Sequence, residues 1–517
     1  MNGTEVVIDG RALTLASLRA VADGSARAVL SPEARARMLA TRAVVDDIVA
    51  RDAVVYGVTT GFGKLSEVAI PPDRLRALQV NLVRSHAAGV GTPLSTPEVR
   101  AMMLLRANVL ACGHSGARPE LVELLLAMLA QGVHPVVPEQ GSVGASGDLA
   151  PLSHLALVLI GEGEAEHGGR VMAGCEALAA AGLSPATLEP KEGLALVNGT
   201  QAHAAVGALA LAEAVALWQT AHAAGAMTVE ALMGTPDAFD ARIHDVRGQH
   251  GQRESAALLR ALLADSEIRE SHRTNDPRVQ DAYALRCMPQ VHGPVLDALR
   301  FAGGLLGREL NAATDNPLVF ADGTMLSGGN FHGQAGAMAA DVLAIALTNL
   351  ATMSERRIDR LVHPDLNHGM PAFLANEPGL ESGFMMAQVS AAALASECKT
   401  LAHPASVDTI PTDGSKEDVV PMAMGAALKL RRVVHNVRHV LAIELLCGAR
   451  GIDLRAPLRP SAGVAATHAA VRALVAPLTG DRPPSPDVRR LADAIAEGRF
   501  VPQASRFADS ILAEVQT

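Results

Sequence analysis

The segment Gly141–Asp148 contains a triplet of small residues, Ala145-Ser146-Gly147, in a glycine-rich run. Such a run can fold back so that the Gly147 nitrogen attacks the Ala145 carbonyl carbon. The attacking residue must lack a Cβ, because only glycine enters the compressed turn without strain. Loss of one water from the ring and one from the Ser146 hydroxyl leaves an exocyclic methylene conjugated to an imidazolone. This group would be an electrophile, which no ordinary side chain provides and for which enzymes normally use a cofactor.

Taken alone, an Ala-Ser-Gly triplet is typical of an ordinary loop. A second motif, Val55–Lys64, places Tyr56 among three glycines and is one of two places where the chain has a tyrosine. This composition suits a mobile loop that closes over a site and excludes water. An incidental aromatic residue in a turn is the alternative, but the scarcity of tyrosine favours a functional role.

The other tyrosine, Tyr283, lies three residues before Arg286. If the segment is helical, the two side chains share one face. Arg286 could then hold a carboxylate through two parallel hydrogen bonds, although a solvated surface arginine is an equally ordinary reading.

Three further polar positions are candidates for substrate contacts. His86 follows Ser85, and a histidine on an apolar helix face is often a satisfied core residue. Asn198 precedes Gly199 in a turn before a helix, where it could cap the helix or orient a carboxylate. Glu417 lies in an acidic stretch that could serve only as a dipole partner of a following helix.

Composition excludes several classes of protein. The chain has 517 residues and a formal charge of −10, with no clustered basic stripe, so nucleic-acid binding is not expected. No metal-binding or phosphate-loop motif occurs, which predicts neither a metal nor a nucleotide. The N-terminus resembles no signal peptide and no run of eighteen apolar residues is present, so we expect a cytoplasmic enzyme without membrane association. The five widely spaced cysteines are predicted to be reduced core residues.

The fold is predicted to be mainly α: a long-helix bundle with a smaller N-terminal, loop-rich α region that carries the reactive segment, and few short strands. Ser95 to Glu98 form a capping box before one helix, and Pro119 begins a second helix that Gly132 ends. Residues 5–9 and 11–14 are predicted to form a small hairpin. Long apolar helices are predicted near residues 201–232, 289–311, 333–360, 380–400 and 417–450, with loops at 55–70, 134–148, 265–282 and 403–416.

These patterns divide the chain into three regions: 1–200 with the reactive segment, 201–450 with the bundle, and 451–517, a helical region packing on it. Because the long helices are apolar around much of their circumference, a single bundle would leave apolar faces in water. We therefore expect oligomerisation.

The glycine-rich segment with its continuation to residue 164, the Tyr56 motif and the Tyr283 motif resemble those of the aromatic amino acid ammonia-lyases and aminomutases. The motifs run in the family's order from residue 56 to about 420. The resemblance implies a 4-methylidene-imidazol-5-one formed autocatalytically from the triplet. It also implies a homotetramer with sites shared between subunits. The roles implied are Tyr56 as the base, with a lowered pKa; Tyr283 as a second catalytic tyrosine; Ala145, Ser146 and Gly147 as the prosthetic group; Asp148 in its formation; and His86, Asn198, Gln280, Arg286, Phe331 and Glu417 in substrate binding.

Within this family, two positions favour histidine as the substrate, with trans-urocanate and ammonium as products. At the position of Ser85-His86, the sequences of phenylalanine lyases are similar to Phe-Leu. At the position of Glu417, they are similar to Gln. A carboxylate suits an imidazole, since a buried N–H without an acceptor costs about 1–3 kcal/mol. Lys416 and Val419 depart from the pattern of the histidine-specific members. A tyrosine or phenylalanine lyase, an aminomutase, or a non-enzymatic helical scaffold remain the alternatives.

Overall fold

The computed structural model describes residues 4–513. These residues contain twenty α-helices, nine short strands and six 3-10 helices, which confirms the mainly α prediction. Helices α1 to α10 are Leu15–Ala22, Pro32–Ala50, Leu75–His86, Thr96–Ala111, Pro119–Gln131, Leu149–Leu159, Gly174–Ala180, Glu192–Val197, Gln201–Ala231 and Ala241–Arg247. Helices α11 to α20 are His250–Leu262, Glu267–Glu270, Tyr283–Arg286, Met288–Glu309, Gln334–Val362, Met385–Leu401, Ala423–Leu454, Ala462–Arg472, Ser485–Ala496 and Ser510–Ala513.

The strands form small, separate sheets. Strands β1 to β9 are Thr4–Ile8, Ala26–Leu30, Val90–Pro93, His134–Pro135, Pro138–Gln140, Glu164–His167, Arg170–Ala173, Leu318–Val319 and Met325–Leu326. The pairs β1-β2, β3-β5 and β8-β9 stand alone, and β4-β6-β7 form a three-stranded sheet.

Local sequence signals set several helix ends. Before α4, the Glu98 carboxylate accepts a hydrogen bond from the Ser95 backbone nitrogen at 2.8 Å, which completes the predicted capping box. Pro119 begins α5, and Gly132 ends it in the left-handed conformation with φ of 70°. Both helices therefore begin where the sequence predicts, and α5 also ends there.

The long helices α9, α14, α15 and α17 form the central bundle, in which α17 packs most extensively against α15 and α9. The main hydrophobic core runs through the chain from Ile8 to Ile511, and a small second cluster lies around Val45 and Val58. Helices α9 and α15 are long and apolar enough to cross a membrane by length and composition alone. In each, however, most of the apolar window, 83% and 67% respectively, is buried inside the fold. Packing in the bundle accounts for this apolar character.

The predicted N-terminal hairpin is wrong. Strand β1 pairs in parallel with β2, and α1 connects them. The Asp9 side chain accepts hydrogen bonds from the backbone nitrogens of Arg11 and Ala12, and Thr14 caps α1 through the Ser17 nitrogen. Residues 11–14 thus lead into a helix, because local side-chain hydrogen bonds stabilise a turn and a cap instead of a second strand.

Two other local predictions fail. Helix α17 begins at Ala423, not near 417, because Pro421 disfavours helix in the residue before it and Met422 is left-handed with φ of 54°. The predicted burial of all cysteines is wrong for Cys175, which is exposed in α7, and Cys287 is only half-buried.

Candidate active site

The triplet lies in a turn that requires glycine at its third position. Gly147 has φ of 73°, and a Cβ added there would lie 2.1 Å from the carbonyl oxygen of Gly199. Gly147 and Gly199 form a parallel bridge, and the Asp148 nitrogen donates to the Gly199 oxygen at 2.7 Å. The backbone around the triplet is therefore fixed against the Asn198-Gly199 turn.

Asn198 links this turn to the triplet directly. Its Nδ2 donates to the Ser146 carbonyl oxygen at 2.8 Å, while its buried Oδ1 has no partner among residues 4–513. Beneath it, Arg106 Nη1 donates to the Asn198 carbonyl oxygen at 3.0 Å. Burial lowers the pKa of the Arg106 guanidinium to about 10. A buried cation thus lies directly behind the turn that contacts the triplet.

These features fit an internal imidazolone formed from Ala145, Ser146 and Gly147. The attacking residue is a left-handed glycine with no space for a Cβ, and the Ser146 carbonyl is already oriented by an amide donor. Ala145 is 4% exposed, so water is largely excluded from the reacting segment. The residues present therefore meet the geometric requirements derived from the sequence.

Four helices begin beside the triplet. Asp148 precedes α6, and Gly199 lies just before α9. Gly333, before α15, donates its N–H to the Gly144 oxygen at 3.0 Å, and Ala423, the first residue of α17, donates to the Val143 oxygen at 3.3 Å. Since a helix N-terminus carries a partial positive charge, this arrangement favours electron-rich groups at the triplet.

A cavity of about 730 Å³ opens over the triplet. Its apolar walls come from the Tyr56 loop and from α3. Six of the residues predicted for the site line this cavity: Tyr56, His86, Ser146, Asn198, Phe331 and Glu417.

Tyr56 lies in this cavity. The prediction that its pKa is lowered is wrong within one chain, where the pKa is raised. Burial raises the pKa of the Tyr56 phenol, and the negative charges of Asp413, Asp315 and Glu417 raise it further. A hydrogen bond from the Gly63 nitrogen to the phenol oxygen, at 3.5 Å, opposes this change without reversing it. Among residues 4–513 of one chain, no cation outweighs these effects.

His86 and Glu417 provide the polar part of the cavity wall. His86 is the last residue of α3, and its Nδ1 lies 3.0 Å from Ser85 Oγ. Glu417 follows the short 3-10 helix Asp413–Ser415, and its carboxylate accepts a hydrogen bond from the Thr412 hydroxyl. A histidine ring and a carboxylate thus face the space above the triplet, where they can contact a polar ring.

Gln280, Tyr283 and Arg286 do not line this cavity. Tyr283 and Arg286 form the short helix α13, as the spacing predicts, with the guanidinium 4.7 Å from the centre of the tyrosine ring. Gln280 is exposed, and the Tyr283 side chain is 70% exposed. Their segment packs beside α14 and α15, so within one chain these three residues are separate from the other site residues.

Sequence reasoning missed two residues near the site. Asp413 lines the cavity, and its Oδ1 accepts a hydrogen bond from the Lys64 nitrogen at 3.4 Å, which joins the Tyr56 loop to the Glu417 segment. The acidic stretch around Glu417 was the signal that could have identified it. Arg106 lies within an apolar helix pattern, and nothing local indicates that it contacts Asn198.

Comparison with known proteins agrees with this architecture. A family model described as aromatic amino acid lyase matches residues 13–473. The chain is 57% identical to a histidine ammonia-lyase of Anaeromyxobacter sp. (strain K), covering 95% of this chain and 99% of that one. It is 53% identical to a histidine ammonia-lyase of Koribacter versatilis (strain Ellin345), covering 96% and 99%.

Solved structures show the same fold. The crystal structure of histidine ammonia-lyase from Trypanosoma cruzi is 43% identical with a TM-score of 0.91, covering 99% of this chain and 98% of that one. A tyrosine aminomutase from Streptomyces globisporus is 39% identical with a TM-score of 0.91, covering 99% of each chain. The chain belongs to the aromatic amino acid lyase family.

Proposed function

We propose that this protein eliminates ammonia from L-histidine, without oxidation, to give trans-urocanate. The observation that carries the proposal is that His86 and Glu417 share one cavity with Ser146 and Asn198. A substrate held there has its side chain beside a histidine and a carboxylate and its backbone end beside the triplet. The relatives named histidine ammonia-lyase support the same substrate.

The reaction breaks two unreactive bonds, because the amine is a poor leaving group and the β-proton is weakly acidic. The 4-methylidene-imidazol-5-one that we propose for Ala145-Ser146-Gly147 would supply an electrophile for the substrate amine and make it a better leaving group. Asn198 orients this segment through Ser146 and has a second amide hydrogen for the substrate carboxylate. Glu417 accepts the imidazole N–H, and His86 contacts the same ring.

Tyr56 is the proposed base that removes the β-proton. As a phenol with a raised pKa, it needs a neighbouring cation to act efficiently at neutral pH. We propose that Arg286 of another subunit supplies this charge and also binds the substrate carboxylate. Tyr283 and Gln280 would arrive with it as further wall residues.

This role requires an assembly in which subunits share sites, and we propose that this assembly is a homotetramer. The exposed positions of Gln280 and Tyr283 support it, as do exposed apolar side chains on the outer faces of α15 and α16, including Ile345 and Val389. Two inactive variants, Tyr56→Phe and Arg286→Met, should regain activity when co-expressed, because some sites in mixed assemblies combine two intact contributions. Mixed assemblies as inactive as either parent would contradict shared sites.

The substrate is tested by incubating the purified protein with histidine, tyrosine and phenylalanine separately. We expect the absorbance of urocanate to appear with histidine and to exceed product formation from the other two. Tyrosine and phenylalanine are the relevant comparisons for two reasons. Lys416 and Val419 depart from the pattern of the histidine-specific members, and a tyrosine aminomutase has the same fold. Cinnamate, coumarate or a β-amino acid as the main product would assign the protein to another activity of the family.

A further inference from the structure

Asp148 is fully buried and connects the two sides of the triplet. Its Oδ1 accepts a hydrogen bond from Ser142 Oγ at 2.7 Å, and Ser142 Oγ accepts one from the Gly144 nitrogen at 3.1 Å. The Asp148 nitrogen is bound to the Gly199 oxygen on the other side. Asp148 therefore contacts residues on both sides of the triplet, through its carboxylate before the triplet and through its backbone N–H after it.

The second oxygen of this carboxylate is held by His203, in the first turn of α9. Asp148 Oδ2 accepts a hydrogen bond from the His203 backbone nitrogen at 2.8 Å and lies 2.8 Å from His203 Nδ1. Burial lowers the pKa of His203, but the Asp148 charge outweighs it and the pKa is raised overall. Burial raises the pKa of Asp148, but the charge and hydrogen bonds of His203 keep it below its usual value. Where His203 is protonated, the two side chains form a buried ion pair.

Two glycines at the start of α15 leave room for the His203 ring. A Cβ added at Gly336 would lie 2.6 Å from His203 Cδ2, and one added at Gly333 would lie 2.7 Å from Cε1. Gly333 also donates its N–H to the Gly144 oxygen. The position of the imidazole is thus fixed by the same helix end that contacts the residue before the triplet.

We propose that His203 is a positioning residue for prosthetic-group formation: it holds Asp148 so that the chain on both sides of the triplet is constrained for ring closure. The inference rests on the proposed function, since it requires that the ring forms. His203 does not touch the reacting atoms and acts only through Asp148. Losing its charged hydrogen bond should slow ring closure about tenfold to a hundredfold.

The test follows intact mass, because each completed ring removes two waters from the chain. Protein purified after a short induction is incubated, and the fraction lacking two waters is measured over time. His203→Leu removes the donor and should be slowest. His203→Asn keeps an amide nitrogen near the position of Nδ1 and should recover part of the rate. His222→Asn is the control, since His222 is an equally buried histidine of α9 whose partners are Trp218 and Ser255.

A second pair of variants tests the position of the His203 imidazole without replacing His203. Gly336→Ala should displace the imidazole and slow ring closure, although alanine favours the helix. Gly307→Ala in α14 is the matched control, because a Cβ there meets no atom within 4 Å. These variants keep the proposal testable if His203→Leu does not fold.

The outcomes separate the two proposals. Ring closure at the wild-type rate in His203→Leu or in Gly336→Ala would overturn the role of His203, as would equal slowing in His222→Asn. A wild-type protein that retains its full mass would instead refute the prosthetic group and the proposed function with it. A wild-type protein that loses two waters but forms no urocanate would refute the substrate alone and leave the role of His203 standing.

Discussion

Replacing Arg106 by methionine should separate stability from activity. Arg106 is fully buried, and only its Nη1 has a partner among residues 4–513, the Asn198 carbonyl oxygen; Nε and Nη2 have none. Methionine has a similar length and no charge, so it fills much of the same space. The substitution removes a buried cation together with the one hydrogen bond that it donates.

The two energetic effects oppose each other. The fall of the Arg106 pKa from 12.5 to about 10, which burial causes and to which the Asn198 hydrogen bond does not contribute, corresponds to a cost of roughly 3 kcal/mol for keeping the guanidinium charged. Because the folded pKa is the lower one, this cost is complete at neutral pH and fades only above pH 10. The lost charged hydrogen bond is worth about 1.5–3 kcal/mol. We therefore expect a net change within about 2 kcal/mol, or about 2 °C in Tm for a chain of this size.

Activity should respond more strongly, because Asn198 loses the donor that fixes its carbonyl. A loss of about 1.5–3 kcal/mol in positioning corresponds to roughly a tenfold to hundredfold fall in kcat/KM. Thermal unfolding and histidine turnover are measured on the same preparation. Arg357→Met is the contrasting control: Arg357 is equally buried but pairs with Glu444 at 2.5 Å, and its loss should cost about 3–5 kcal/mol. The reasoning is refuted if Arg106→Met lowers Tm as much as Arg357→Met, or if it keeps full kcat/KM.

Three further predictions concern titrating groups. Glu417→Gln should lower kcat/KM for histidine about tenfold and reduce its preference over phenylalanine, because the imidazole N–H loses a charged acceptor; an unchanged preference ratio would contradict this. Tyr56→Phe should lower kcat about a hundredfold or more, because the phenol that removes the β-proton is lost; near-wild-type kcat in this variant would oppose Tyr56 as the base. Because the pKa of His203 is raised and that of Asp148 is lowered, their interaction stabilises the folded state fully between about pH 4 and 6.5. Above pH 6.5 this stabilisation is lost as His203 deprotonates. The Tm difference between wild type and His203→Asn should therefore be largest near pH 5.5, and a difference that grows toward pH 9 would contradict the ion pair.

The sequence by itself determined the features that depend on local chemistry. The capping box at Ser95 and the left-handed Gly132 set helix ends because their hydrogen bonds and dihedral angles involve neighbouring residues only. The requirement for glycine at 147 also followed from local geometry, and the structure meets it. The long apolar helices were predictable because their composition suits burial on several faces.

Only the tertiary structure decided features that depend on residues distant along the chain. It placed Arg106 behind Asn198 and His203 beside Asp148, contacts that span tens of residues and leave no local pattern. It separated Arg286 from the cavity, and it reversed the predicted pKa of Tyr56. A pKa depends on burial and on nearby charges, and neither can be read from a single motif because both are created when separate segments pack together.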